Sequence, residues 1–500
     1  MNLPSLFLGA LLLLTTIAKA QFPLISSEQA LEDAQEFQQL LEERSSYLQL
    51  SDLNHDSAFQ ALFSELGKQS EIEVQALSQH LGKILYAIGD RHCKVEFEEF
   101  EEDTIVGWER YFPAGLARYE DQLAVLQRSN RAFTWYAPNY PYLKNINGQP
   151  WEEFLAQYAP RHQLAPREAR ISRAAETLRD LGELYVLNGI KDTTVRLQLT
   201  NGQKDTSLTL PLIAKRQWYI SKADHWWLLQ RDLEAGNYAV TARWLEDSIA
   251  YLILPDMYDP EDEPAYFQFL ENHLTTMQSA NGWILDIRGN GGGTRDILQL
   301  LAPYLIQPEQ SPWIANVAYV RTPEPQTGSP LEGMAGRYLF PLEADEFEPE
   351  EQKTIASYLA DFSSKKQIPE EKFSEPHVML LRAGKRPFPG PVYVLMDEFS
   401  FSAASVFATA FKGLPNVRLV GVRTDGSSGR SRNEWLTHSN IRVKWSTMAS
   451  FQRNGLPLDG YGTEPDLQLE PDWEQVFFHR DTQLERAIRH LQAAIPNREK

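Results

Sequence analysis

Two short segments constrain this chain more than the rest of its 500 residues. Each is an apolar run with the unbroken hydrophobicity of a strand buried on both faces, delivered straight into a turn of unusual composition. The first is Trp283-Ile284-Leu285-Asp286-Ile287-Arg288-Gly289-Asn290-Gly291-Gly292-Gly293. Glycines let backbone amides approach a ligand with no side chain in the way, so this loop suits a phosphate cradle or an oxyanion hole; alone it is equally a bare tight turn. It lacks a Gly-Lys-Ser/Thr ending and the dinucleotide spacing, which excludes both of those nucleotide motifs. The second segment runs from Val392 through Asp397-Glu398-Phe399-Ser400-Phe401-Ser402-Ala403-Ala404-Ser405. Here a strand ends on an acidic pair and small residues open an amphipathic helix. A serine on such a turn sits at the positive end of the helix dipole with free amides beside it. The plainer reading of Ser400, Ser402 or Ser405 is a helix cap.

The remainder divides by periodicity. Apolar residues at helical spacing across 27–90 (Leu31, Phe37, Leu41, Phe59, Leu62, Leu66, Leu77, Leu81, Leu85) predict a small helical subdomain, ending where Gly89-Asp90-Arg91-His92-Cys93-Lys94-Val95 turns strand-like. Between 104 and 215 the period shortens, and Val195–Leu199, Asn201-Gly202 and Ser207–Leu210 read as a hairpin. From about 216 onward strand-like and helical runs alternate, predicting an α/β core. The stretch 321–390, rich in Pro, Glu and Lys, is either a lid or substrate-guiding insert or an ordinary surface excursion.

Residues 3–17 are uncharged and apolar, and Ala18-Lys19-Ala20 then offers small residues before a polar stretch, which reads as a cleavable export signal over 1–20. No later apolar run is long enough to span a membrane, so the processed chain is expected to be soluble, in a bacterial periplasm or outside the cell. A net charge of −20 argues against nucleic acid as a partner. The same charge suggests that acidic peptides are disfavoured. The lone cysteine, Cys93, excludes an intramolecular disulfide and a four-cysteine zinc site.

Two further loops complete a pattern: Gly421-Val422-Arg423-Thr424-Asp425-Gly426 and Gly462-Thr463-Glu464-Pro465-Asp466. In this order and at these separations, the four segments resemble the clan of serine peptidases that holds the C-terminal-processing (tail-specific) proteases and the tricorn core protease. The resemblance covers about 245–475. It implies an α/β, Clp/crotonase-like catalytic domain over 216–500, preceded by a PDZ-like domain over 104–215, for which Ile146-Asn147-Gly148-Gln149-Pro150 is the matching turn, and by the helical subdomain over 21–103. It implies Ser402 as nucleophile, with the Ala403 amide and one of the Gly291 and Gly292 amides as oxyanion donors.

The base departs from the tail-specific branch. Where those enzymes place a lysine this chain has Ser427, and the nearby Arg430 and Arg432 stay protonated at any working pH. The histidine-using branch carries a Gly-Asp-Xaa-His element, matched by Gly89–His92, so the resemblance implies His92 as general base. Asp90 and Arg91 then become supporting residues, Arg91 standing where that branch has a serine. Asp459 falls where the family often has a glutamate and is expected to orient the imidazole. The expectation is an exported serine peptidase acting on polypeptides through an acyl-enzyme, with no metal or organic cofactor. The alternatives are an inactive ligand-binding relative and an esterase using the same site.

Overall fold

The computed structural model describes residues 23–51, 54–97, 109–130, 132–159, 164–215, 232–322, 333–363 and 368–495. The expected export signal lies outside the described residues. Among those described, no helix is long and apolar enough to cross a membrane.

The α/β core is a six-stranded sheet in the order Ala242–Leu245, Ile249–Ile253, Gly282–Asp286, Val392–Met396, Val417–Gly421, Leu467–Gln468, with only the first pair antiparallel. The apolar runs are continuous because both faces are covered. Alternate residues Leu252, Trp283, Leu285, Val394 and Leu419 pack with the helices Pro264–Met277, Asp296–Leu305 and Ala403–Phe411. Their neighbours Tyr251, Ile284, Tyr393, Leu395 and Val420 pack with Leu484 and Leu491 of the C-terminal helix Thr482–Ala494. Parallel pairing puts the C-terminal ends of Gly282–Asp286 and Val392–Met396 side by side, so the glycine loop and the serine turn leave the sheet together.

A seven-stranded sheet built from strands between Gly115 and Pro211 forms the middle unit, its strands Thr194–Thr200 and Asp205–Pro211 pairing antiparallel around Asn201-Gly202. Of the stretch 321–390, the described residues supply the strands Phe340–Pro341 and His377–Leu381 to a four-stranded antiparallel sheet with Trp313–Val320 and Met448–Gln452, and the helix Pro349–Asp361 packs against it. Ile355, Val378 and Leu380 bury against Ile314 and Val317.

The N-terminal unit holds the helices Ser27–Arg44, Asp56–Leu66 and Val74–Ala87. Its core is completed from far along the chain, since Leu436, Ile441, Val443 and Trp445 bury among Phe37, Leu81 and Leu85. These four come from the hairpin Ser431–Trp435/Arg442–Ser446, to whose second strand Lys94–Glu96 adds antiparallel. Residues 91 and 92 form a turn before that short strand, not part of it.

Candidate active site

Ser402 occupies the turn between Val392–Met396 and the helix Ala403–Phe411 with φ 53° and ψ −121°, a left-handed conformation uncommon for a side-chain-bearing residue. Its neighbours hold it there. Ser400 Oγ donates to Ile287 O at 2.9 Å, Ser405 Oγ donates to Ser400 O at 2.7 Å, and Phe401 N donates to Asn290 O at 2.9 Å. Ser400 and Ser405 are therefore spent on the turn itself. The glycine loop closes on the other side: a Cβ on Gly292 would lie 2.6 Å from Ser402 Cβ and 2.9 Å from Ala403 N, so only glycine fits against the turn.

Ala403 is the first helical residue, and its N–H has no preceding turn to bond. The two glycine amides differ. Gly292 N donates to Asn290 Oδ1 at 2.8 Å and is thereby consumed, whereas Gly291 is exposed. Asn290 is anchored in turn, its Nδ2 donating to Leu254 O at 2.8 Å.

An imidazole arrives from 310 positions away in sequence, with His92 Nε2 3.2 Å from Ser402 Oγ. Asp90 sets its backbone: one carboxylate oxygen accepts from His92 N at 2.9 Å and from Ser446 Oγ at 2.9 Å, the other from Ser446 N at 2.6 Å. The imidazole stacks on Phe401 with ring centroids 4.6 Å apart and 22° between planes. Gly429 also lies close against the ring: a Cβ there would be 2.3 Å from Nε2. Burial, followed by the charges of Lys444, Arg337 and Arg91, pushes the His92 pKa down to about 3, so the ring is neutral at physiological pH.

Asp459 does not reach the imidazole. Its Oδ1 accepts from Ser428 N and Ser428 Oγ, both at 2.8 Å, and from Tyr47 Oη at 3.1 Å, while Oδ2 accepts from Ser450 N at 2.8 Å. Among the described residues His92 Nδ1 has no hydrogen-bond partner. The expected orienting role of Asp459 is thus corrected: it pins the loop next to the ring, and the ring itself is gripped by its faces. Burial raises the Asp459 carboxyl to about 6 despite these donors.

Arg91 ion-pairs with Asp425, whose Oδ1 also accepts from Ser427 Oγ at 3.0 Å. This buried pair ties the His92 turn to the Gly421–Gly426 loop. Arg430 is buried and donates to Thr447 Oγ1 at 3.0 Å. The Cys93 thiol donates to Asp90 O at 2.6 Å. Sequence reasoning assigned no role to Phe401, Asn290, Gly429 and Ser446. Asn290 nonetheless stood inside the glycine segment already singled out, and Phe401 left a signal as a bulky residue set inside a run of small ones.

Residues 248–469 match the family model described as peptidase family S41. The tricorn protease of Thermoplasma volcanium is 30% identical over 107 residues, which span 21% of this chain and 10% of tricorn, so the match covers about a tenth of that protein's length. The crystal structure of mature CPAF superposes with a TM-score of 0.64 at 15% identity, covering 95% of this chain and 99% of that one. Mature CPAF complexed with lactacystin gives 0.62 at 15% identity over the same shares. These superpositions establish a shared fold across nearly the whole chain.

Proposed function

From the premise that residues 248–469 are a peptidase family S41 segment, we propose that this chain is an exported serine peptidase that hydrolyses polypeptides through an acyl-enzyme on Ser402, with His92 as general base. The observation that carries the reading is the 3.2 Å approach of His92 Nε2 to Ser402 Oγ, on a serine held at positive φ. Neutral Nε2 accepts the hydroxyl proton as Oγ attacks the substrate carbonyl. The Ala403 and Gly291 amides hold the oxyanion, an interaction worth roughly 3–4 kcal/mol per donor. The imidazolium then protonates the leaving amine, and water, deprotonated by the same nitrogen, releases the acyl group.

Among the described residues no group accepts from Nδ1, so the imidazolium forms over the face of Phe401 with no carboxylate there. Asp90 acts on the base only through backbone position, and Asp459 only through Ser428. Export is supported by the apolar segment 3–17 and the small residues that follow it.

Labelling with a fluorophosphonate probe tests the reading. Wild type should label, Ser402→Ala should not, and His92→Ala should label far more slowly. Equal labelling of wild type and Ser402→Ala, or none of wild type, overturns it. Digestion of a protein substrate against a simple ester by the purified chain separates peptidase from esterase.

A further inference from the structure

Hydrogen bonds through Ser400, Ser405 and Phe401 tie the Ser402 turn to its own unit. A further tie leaves that unit. Glu398, four residues before the serine, is only 7% exposed, and its carboxylate is held by side chains of the middle unit. Arg118 of the strand Gly115–Tyr119 donates through Nε to Oε1 at 2.9 Å and through Nη2 to Oε2 at 3.4 Å. Ser172 of the helix Arg167–Arg179 donates to Oε1 at 2.7 Å. Arg118 Nη2 also donates to Glu470 Oε2 at 2.9 Å, just beyond the strand Leu467–Gln468. The next residue along the helix, Arg173, sets its Cζ 5.3 Å from the Phe399 ring centroid and 5.9 Å from that of Phe401, the ring that stacks on His92. One helix of the middle unit thus reaches residues 398, 399 and 401 of the nucleophile turn.

Two features set this contact apart from simple packing. A buried ion pair loses on desolvation about as much as it gains by attraction, so apolar side chains of the same volume would join the units as firmly. What the pair adds is direction, because a carboxylate gripped by a guanidinium edge and a hydroxyl fixes where residue 398 lies. The second feature is Ser402 itself, at φ 53°. A side-chain-bearing residue persists in such a region only where its surroundings over-determine it. Glu398 adds to that restraint three hydrogen bonds, all from another unit.

We propose that Glu398 is a positioning residue for the nucleophile and that Arg118 and Ser172 act through it, so that the docked middle unit fixes the turn presenting Ser402 to His92. For its effect on rate the proposal rests on the peptidase reading.

Ser172→Ala tests it without stranding a charge, since Arg118 still meets Glu398. A hydrogen bond to a charged group corresponds to a factor of about ten. The variant should therefore show a fluorophosphonate labelling rate constant, and a kcat on a protein substrate, lowered by about that factor with KM little changed. Ser172→Thr keeps the hydroxyl and should recover most of the loss. Glu398→Gln should also slow labelling, and combining it with Ser172→Ala should add little, because both act on one carboxylate. A merely structural role would reduce how much protein labels at the end point and leave the rate constant of the folded fraction unchanged. That result, or wild-type rate constants in both Ser172→Ala and Glu398→Gln, would overturn the proposal.

Crystal structures of wild type and Ser172→Ala keep the proposal testable without catalysis. In the variant alone, Ser402 should leave positive φ or its Oγ should move out of hydrogen-bond reach of His92 Nε2. The same turn in both would overturn the positioning role while leaving labelling of wild type, and so the peptidase reading, intact. A displaced turn in the variant of a chain whose wild type neither labels nor cleaves would uphold the positioning role and sink the peptidase.

Discussion

Replacing Gly429 by alanine should disable the base while leaving the fold in place. The added Cβ would stand 2.3 Å from His92 Nε2, 2.4 Å from Cε1 and 2.6 Å from Cδ2, where ordinary contacts begin at 3.4 Å. Either the loop or the ring must retreat by about 1 Å, and the loop is pinned: Ser428, the preceding residue, is held by two 2.8 Å hydrogen bonds to Asp459. If the ring yields, the 3.2 Å separation from Ser402 Oγ opens to about 4 Å, beyond hydrogen-bond range. General-base catalysis commonly contributes about 10²–10⁴ in rate, so fluorophosphonate labelling of Ser402 should slow by at least about a hundredfold. Gly429 has φ +42°, and alanine in that region costs roughly 1–2 kcal/mol on its own. Gly202→Ala supplies the control: its φ is +86° and a Cβ there meets nothing within 4 Å, so it carries a comparable backbone cost with no contact. Gly429→Ala should lose stability beyond Gly202→Ala by the cost of displacing the ring or loop, and only Gly429→Ala should lose labelling. Gly429→Ala labelling at the wild-type rate would refute the reasoning, because it would mean the ring's position against the loop is irrelevant to Ser402.

Four other outcomes are expected. With burial and then Lys444, Arg337 and Arg91 holding His92 near 3, the imidazole stays neutral as pH falls from 8 to 5, so the labelling rate should stay flat where an ordinary histidine of pKa about 6.5 would lose about thirtyfold; a tenfold decline per pH unit below 6.5 would contradict this. The same depressed base removes stability as pH drops from 6.5 toward 3, because the unfolded chain takes up a proton that the native ring resists. Arg118→Met should destabilise the fold by about 3–5 kcal/mol in denaturant unfolding, since it strands the buried Glu398 that Arg118 Nε meets at 2.9 Å. Adding Glu398→Gln should recover much of that loss, and failure to recover any would show that the charge is not its source. Asn290→Ala removes the acceptor of Gly292 N and the donor to Leu254 O, so it should slow acylation more than it weakens substrate binding; a change confined to KM would count against the oxyanion loop as its point of action.

The chain's own sequence determined the parts that are local. Unbroken apolar runs at 282–286 and 392–396 specify strands covered on both faces, and glycine or serine at their ends specifies what kind of turn follows, because backbone conformation at those positions is restricted by the residue itself. Ser402, Ala403 and the glycine loop were therefore legible, as was His92 through its Gly-Asp-Xaa-His setting. Contacts between distant segments were not. That the hairpin Ser431–Ser446 completes the core of the N-terminal helices, and lets Ser446 fix Asp90 beside His92, depends on burial that no local pattern records. Nor could spacing show that Asn290 takes the Gly292 amide, or that Asp459 serves Ser428, Ser450 and Tyr47 instead of the imidazole. A hydrogen bond goes to whichever partner lies within about 3 Å at the right angle, and side chains far apart in sequence acquire that geometry only when the sheets and helices carrying them have packed.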